Sequence, residues 1–155
     1  MSSNNFFLGI DTSCYTTSIG LVDENNNILY DKKKVLDVDY NKIGLRQQDA
    51  LFQHMRNLPC LLKEIDNEYF DKIKYISVSN KPRNIKDSYM PVFLQGVFLA
   101  ESLGHSLNIP IKYFSHQEGH IAAGLIDNEV LLSKKFVAIH LSGGTNEILL
   151  VDSNK

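Results

Sequence analysis

The sequence predicts a mixed α/β fold, one sheet with helices on its faces, and three observations predict it. Three short β-branched runs follow one another with tight turns between them, long helical periodicities separate the later runs, and two successive strand–helix units close the series. The runs Phe6–Thr12 and Thr17–Asp23 are the first two strands, with a four-residue hairpin loop between them. Glu24-Asn25-Asn26-Asn27 is a turn cluster, after which Ile28–Asp37 continues as a third strand whose lysines at 32–34 mark a solvated face or edge.

From Leu45 to Ile65 the apolar residues Leu51, Met55, Leu58, Leu62 and Ile65 recur at three and four, a helical period, and Pro59 inside it predicts a kink. Lys74–Asn80 is a strand, broken by Lys81-Pro82-Arg83-Asn84. A long helix is predicted over about Ser88–Leu107, with Ser88 as N-cap and Pro91 in the first turn. Ile111–Phe114 is a short strand feeding Ser115, a second N-cap candidate, and His116–Ile126 reads as a helix. Lys135–Leu141 and Glu147–Val151 are strands joined by Ser142-Gly143-Gly144-Thr145-Asn146. This last hairpin repeats the opening one, strand, small-residue turn, strand. Residues 1–133 are therefore expected to form one lobe, and residues 134–155 the first hairpin of a second, duplicated lobe that this sequence does not contain.

Composition narrows the function classes. The 155 residues are 43% hydrophobic and 22% charged, with 9 Gly and 4 Pro, which excludes disorder and low complexity. No uncharged apolar run approaches the ~18 residues of a membrane span, and Met1-Ser2-Ser3-Asn4-Asn5 lacks a signal peptide's basic start. Two cysteines, Cys14 and Cys60, make no disulfide framework, so a cytoplasmic setting is expected. A net charge of −2 argues against indiscriminate binding to nucleic acid or membrane.

The two small-residue turns, Asp11-Thr12-Ser13-Cys14 and Ser142-Gly143-Gly144-Thr145, offer backbone N–H groups and hydroxyls suited to a phosphate, and Asp11 adds a carboxylate suited to hydrated Mg²⁺. Tight turns with no ligand use the same residues. His116 and His120 are four apart on a predicted helix, so both imidazoles project from one face and can share a metal ion given a third ligand. Two unconnected surface histidines is the alternative. Glu118 lies about 200° round the helix from each, which rules out the metalloprotease arrangement. Cys14 has no neighbouring histidine to activate it, and His54, His105 and His140 have no metal spacing with the pair and read as surface or strand residues. Lys81, Arg83 and Lys86 form a basic loop, either solvated or in contact with an anion or an RNA backbone.

Taken together, FLGIDTSCYTTSIGLVD, MRNLPCLLKEI, SYMPVFLQGVFLAESLG, SHQEGHIAAG and HLSGGTNEILLV occur in the order of one family. Over residues 6–151 the chain resembles the N-terminal half of the threonylcarbamoyladenosine synthases (TsaD/Gcp type, formerly called O-sialoglycoprotein endopeptidases) and is similar to a divergent member. The resemblance implies the actin/sugar-kinase/heat-shock-ATPase (ASKHA), ribonuclease H-like lobe. It implies transfer of threonylcarbamoyl from its adenylate to the adenosine beside a tRNA anticodon. By residue match His116 and His120 are two ligands of one divalent ion, iron or zinc. Asp11, Thr12, Ser13, Ser142, Gly143 and Gly144 lie at the site of the nucleotide, threonylcarbamoyl-adenylate or ATP. No residue is assigned as catalytic base or nucleophile.

Departures from the family pattern are specific. Tyr15-Thr16 replaces Asp-Glu, Asn80-Lys81-Pro82-Arg83 replaces Ala-Gly-Pro-Gly, and Thr145 follows the Ser-Gly-Gly turn where a histidine is usual. The resemblance places the remaining Asp ligand in the second lobe, so the chain by itself is expected to be inactive and the longer protein to be the enzyme. A non-catalytic partner or scaffold paralogue is the alternative, and a small-molecule kinase of the same superfamily the weaker third. On the predicted 88–107 helix, polar residues are confined to roughly 140° of arc, leaving more apolar surface than one sheet can cover. Helices 45–65 and 88–107 are thus expected to pair with a second copy when the chain is alone, and with a TsaB-like paralogous subunit in the cell.

Overall fold

The computed structural model describes residues 5–39, 44–126, 128–141 and 146–152. The chain divides into two compact units, Met1–Gln117 and Glu118–Lys155. The first unit holds a five-stranded sheet in the order β3-β2-β1-β4-β5. Its strands are β1 (Phe6–Ser13), β2 (Thr16–Asp23), β3 (Ile28–Val35), β4 (Ile73–Lys81) and β5 (Ile111–Ser115). The first three form an antiparallel meander, and β4 and β5 add parallel to β1. This is the mixed sheet expected.

Burial alternates residue by residue along β1 and β2, so one sheet face carries Phe6, Leu8, Ile10, Ile19 and Leu21, joined by Ile76 and Val78 of β4. Helices α1 (Gln47–Leu62) and α3 (Phe93–Leu107) contribute Leu58, Leu61 and Ala100 to the same cluster. Each such aliphatic side chain contributes roughly 1.5–3 kcal/mol by leaving water. The period-2 pattern of the strands and the period-3.6 pattern of the helices thus meet in one core.

Several elements differ from expectation for identifiable reasons. Only Cys14 and Tyr15 separate β1 from β2, because Thr12↔Thr17 and Ser13↔Thr16 continue the ladder. The buried stripe of α1 is Ala50, His54, Asn57, Leu58 and Leu61, whereas Met55 is 48% exposed. Two polar residues occupy core positions, which an apolar count cannot register. The helix runs through Pro59. A short helix, α2 (Asn67–Phe70), precedes β4. Helix α3 begins at Phe93, later than expected, since the Ser88 hydroxyl accepts the Arg83 N–H at 3.1 Å and closes a loop instead of capping a helix. Pro91 therefore lies before the helix. Asn108, in the left-handed conformation at φ 55°, ends it.

Helix α4 (His116–Leu125) starts directly after β5. The second unit comprises the remainder of α4, a 3-10 turn over Glu129–Ser133, and a hairpin of β6 (Lys135–Leu141) and β7 (Asn146–Asp152), which form a separate two-stranded sheet. One face of this hairpin is apolar and open, with Val137 paired to Leu150 and Ile139 to Ile148. Among the described residues no helix is long and apolar enough to cross a membrane.

Candidate functional site

Because β1, β4 and β5 are parallel, their C-terminal ends gather at one edge of the sheet, which is where ligands bind in open α/β folds. Asp11, near the end of β1, faces away from the apolar core because its neighbours Ile10 and Thr12 face into it. The Ser79 hydroxyl of β4 donates to Asp11 Oδ2, and the Ser13 N–H donates to Oδ1 at 2.9 Å. His116, the first residue of α4, brings Nδ1 within 2.8 Å of Asp11 Oδ2. The Asp11 and His116 side chains are 24% and 30% exposed, open enough for a ligand to reach.

Burial by itself would raise the Asp11 carboxyl. The His116 hydrogen bond and charge, with the Ser79 and Ser13 bonds, outweigh it and hold Asp11 below the ordinary carboxylate value. Asp11 is therefore an anion at neutral pH, and a poor proton acceptor. Phe93 lies beside the His116 ring, with centroids 6.2 Å apart. The Gln117 N–H donates to the Pro82 carbonyl at 3.1 Å, tying the start of α4 to the basic loop after β4.

A second polar group, invisible to spacing arguments, braces the turn that carries Asp11. His54 is fully buried, a correction to its reading as a surface or strand residue. Its Nε2 lies 2.8 Å from the Ser13 carbonyl and its Nδ1 2.8 Å from Thr17 Oγ1, which also accepts from Asn57 Nδ2 at 3.1 Å. A carbonyl can only accept, so Nε2 carries the proton and Nδ1 accepts from the Thr17 hydroxyl. The chain Asn57–Thr17–His54–Ser13 is then satisfied at every step. Burial lowers the His54 pKa, keeping the ring neutral, against the opposing pull of Ser13 and Asp11. The signal in the sequence was that His54 and Asn57 sit in phase with Ala50, Leu58 and Leu61.

The remaining predicted positions separate. Thr12 is fully buried on the opposite face from Asp11, its hydroxyl donating to the Val92 carbonyl at 3.0 Å and accepting from the Gly96 N–H at 3.2 Å. That side chain seats α3 on the sheet. Ser13 contributes its backbone to both Asp11 and His54. Helix α4 carries His116 and His120 at the expected four-residue spacing. His116 belongs to the first unit; in the second, the His120 ring lies 5.2 Å from that of His140. Ser142, Gly143 and Gly144 lie outside the described residues. Among the described residues no three metal-ligating side chains come together.

Curated relatives match most of the chain. It is 30% identical over 151 residues to a tRNA N6-adenosine threonylcarbamoyltransferase of Fusobacterium nucleatum, covering 95% of the chain and 42% of that protein. Proteins of the same name from Campylobacter curvus and Nautilia profundicola are each 32% identical, over 94% and 92% of the chain. The chain is a homologue of the N-terminal part of these transferases. The chain spans about 42% of the length of the curated relatives it matches. No family model matches the chain.

Solved structures agree on the fold. YeaZ from Pseudomonas aeruginosa superposes with a TM-score of 0.54 at 12% identity, covering 94% of the chain and 64% of YeaZ. The Aquifex aeolicus PPX-GPPA enzyme gives 0.52 at 15% identity, covering 98% of the chain and 50% of that enzyme. The chain therefore has the ASKHA, ribonuclease H-like fold.

Proposed function

We propose that the chain is the substrate- and metal-holding N-terminal lobe of a tRNA threonylcarbamoyltransferase, active only when completed by the remainder of the enzyme. The observation that carries this reading is the Asp11–His116 pair at the carboxyl edge of the sheet, in a chain whose curated relatives bear that name. In the reaction, the adenosine N6 attacks the carbamoyl carbon of threonylcarbamoyl-adenylate. A C–N bond forms, the acyl–phosphate C–O bond breaks with release of AMP, and one N6 proton passes to a base.

The residues fit a divalent ion in part. A carboxylate on one nitrogen of an imidazole is the arrangement that fixes a metal-ligating histidine, and with Nδ1 on Asp11, ligation falls to His116 Nε2. His120, one helical turn on, is the second donor by the resemblance and by its spacing. His116 and His120 would hold an iron or zinc ion, which would supply Lewis-acid polarisation of the acyl carbonyl. Asp11 orients His116 and, with its carboxyl held low, is not the base. The cations of Lys81, Arg83 and Lys86, in a loop joined to α4 through Pro82, support a role for it in holding tRNA phosphates. The exposed Leu94 and Phe98 of α3, with Phe52 and Met55 of α1, fit a TsaB-like subunit.

Reconstitution tests the reading. The chain joined to, or mixed with, the missing part of the enzyme should convert tRNA adenosine to threonylcarbamoyladenosine, detected by mass spectrometry of the digested nucleosides, and the chain alone should not. Turnover by the chain alone, or by a reconstituted His116→Ala enzyme at the wild-type rate, rejects it. A scaffold reading rests on Tyr15-Thr16, which leaves the β1–β2 turn with an exposed aromatic in place of acidic groups. Absence of turnover in the reconstituted wild type would favour it.

A further inference from the structure

We infer that His54 is a positioning residue for the site: by donating its ring N–H to the Ser13 carbonyl it sets the place of the Asp11 carboxylate, and through it of His116. Its effect on turnover rests on the transferase reading above, whereas its effect on Asp11 rests only on hydrogen bonds within the first unit.

An unbroken series of bonds joins the core of α1 to the site. Asn57 Nδ2 donates to Thr17 Oγ1 at 3.1 Å, Thr17 Oγ1 lies 2.8 Å from His54 Nδ1, and His54 Nε2 lies 2.8 Å from the Ser13 carbonyl. Ser13 in turn gives its N–H to Asp11 Oδ1 at 2.9 Å, and Asp11 Oδ2 lies 2.8 Å from His116 Nδ1. Oδ2 also takes the Ser79 hydroxyl, so the Ser13 bond to Oδ1 is what fixes the plane of the carboxylate. Ser13 is thus the pivot between the buried chain and the site.

Stability alone does not account for this arrangement. His54 is fully buried, in a stripe of α1 shared with Ala50, Asn57, Leu58 and Leu61. Apolar side chains of matching shape in place of all the bonded partners would be nearly neutral. What a fully bonded polar chain adds is a single geometry. The far side of the turn is held by backbone, since the Tyr15 carbonyl accepts the Leu36 N–H at 2.8 Å. The side next to Asp11 is braced by a side chain, which one substitution can release. The same bond decides what the turn presents. The C=O and N–H of a trans peptide point opposite ways, so with the Ser13 carbonyl drawn to His54 the Cys14 N–H points away from it, out of the core. Cys14 belongs to the segment expected at the nucleotide.

Two amide substitutions separate positioning from packing. Gln places its side-chain N–H near the position of Nε2 and keeps the bond to Ser13, whereas Asn reaches only the position of Nδ1 and loses it. Both fill the core less well, so both should lower the thermal midpoint of the purified 155-residue chain while keeping its circular dichroism. In that chain the nuclear magnetic resonance of the Ser13 amide, bonded to a carboxylate, should move in His54→Asn as it does in Asp11→Asn, and stay near its wild-type position in His54→Gln. In the reconstituted enzyme His54→Asn should lower kcat about 100-fold with the KM for tRNA unchanged, and His54→Gln should stay within about tenfold of wild type. If His54→Asn does not fold, Thr17→Val, which removes the hydroxyl that orients the ring, should move the same resonance. A folded His54→Asn chain with the wild-type Ser13 resonance overturns the inference, as do equal losses of kcat in the Asn and Gln variants. A reconstituted wild type without turnover removes the transferase reading instead, and the Ser13 resonance by itself then decides whether His54 places Asp11.

Discussion

Asp11 and His116 are 105 positions apart in the chain, yet Oδ2 of the one lies 2.8 Å from Nδ1 of the other. The parallel pairing of β1 with β4 and β4 with β5 creates this proximity, since it brings the end of the first strand and the first residue of the last helix to the same edge. Neither residue signals the other in the sequence. The contact is a product of topology.

Asp11→Asn keeps the shape of the side chain and removes its charge. It should lower the Zn²⁺ affinity of the chain by about 10–100-fold, the usual effect of losing a carboxylate behind a ligating histidine. Isothermal titration of wild type and variant checks it. The same carboxyl is held below its ordinary value of 3.8, so its contribution to stability is complete above that pH and is lost as pH falls from there through the folded-state pKa. Urea unfolding in this acid range should be steeper in pH for wild type than for Asp11→Asn.

His54→Ala should destabilise the first unit by about 2–4 kcal/mol, because it opens a cavity, takes the acceptor from the Thr17 hydroxyl proton and removes the ring N–H from the Ser13 carbonyl. With the His54 pKa lowered by burial, the unfolded chain takes up the proton first. Stability from this group is therefore full above the ordinary histidine value of 6.5 and falls as pH drops below it towards the folded-state pKa. Denaturant midpoints from pH 7.5 to 5 measure the effect, and the His54→Ala variant should show a flatter profile.

The parts of the fold that were legible in the sequence are those where one period dominates. Strands β1 and β2 alternate, β6 begins and ends where its β-branched run does, and helix α4 starts at His116 as its spacing implies. Polar residues in core positions defeated the same reasoning in α1, where His54 and Asn57 shift the buried stripe and put Met55 outside. Ser88 misled for another reason: a serine hydroxyl closes loops as readily as it caps helices, and here it serves Arg83. At the site, the four-residue spacing of His116 and His120 is local information and could be read directly. The Asp11–His116 bond and the Ser79 hydroxyl depend on strand order, which no local pattern contains.

Gly104→Ala should be destabilising although alanine is the better helix former. A Cβ there would lie 2.7 Å from two carbons of Ile111 and 2.9 Å from the Ile109 carbonyl, backbone that cannot give way easily. Overpacking of this kind costs about 1–3 kcal/mol, against a helix gain of about 1 kcal/mol. Thermal unfolding should show a lower midpoint for Gly104→Ala.

The basic loop should contribute to RNA binding through charge and stacking together. Arg83, Lys86 and Tyr89 are all exposed, and a contact between Cys14 Sγ and Met90 Sδ at 3.9 Å puts their chain neighbours Tyr15 and Tyr89, 51% and 63% exposed, on the same rim. An Arg83→Gln/Lys86→Gln variant should reduce the salt slope of binding to a labelled anticodon stem-loop by about 1.4, two phosphate contacts to a single strand. Tyr89→Ala should weaken binding about fivefold or more with the slope unchanged. Fluorescence anisotropy across a salt series separates the two, and wild-type slopes in the charge variant would count against the loop.

The outer surface of the two long helices should mediate self-association when the chain is alone. Helix α3 buries only the stripe Phe93, Gly96, Ala100 and Gly104 against the sheet. Leu94 and Phe98, one turn apart, remain 48% and 69% exposed, and on the adjacent α1 Phe52 and Met55 are 51% and 48% exposed. The two helices pack on one another, so these four exposed side chains all belong to the helical layer of the first unit. Apolar surface of this extent on a helix pair is covered in most proteins, and a two-fold axis lets the same patch cover itself. A stable dimer needs roughly 1,200–2,000 Å² of buried surface in total, which two helical faces of this length can supply. Sedimentation equilibrium at tens of micromolar should therefore give twice the mass of the 17.6 kDa chain. Phe98→Glu places a charge in the middle of the patch and should return the monomer. The same variant, in the reconstituted enzyme, should weaken capture by a TsaB-like subunit, because one face cannot serve both partners at once. A wild-type chain that sediments as a monomer, with no change on Phe98→Glu, would rule out the homodimer.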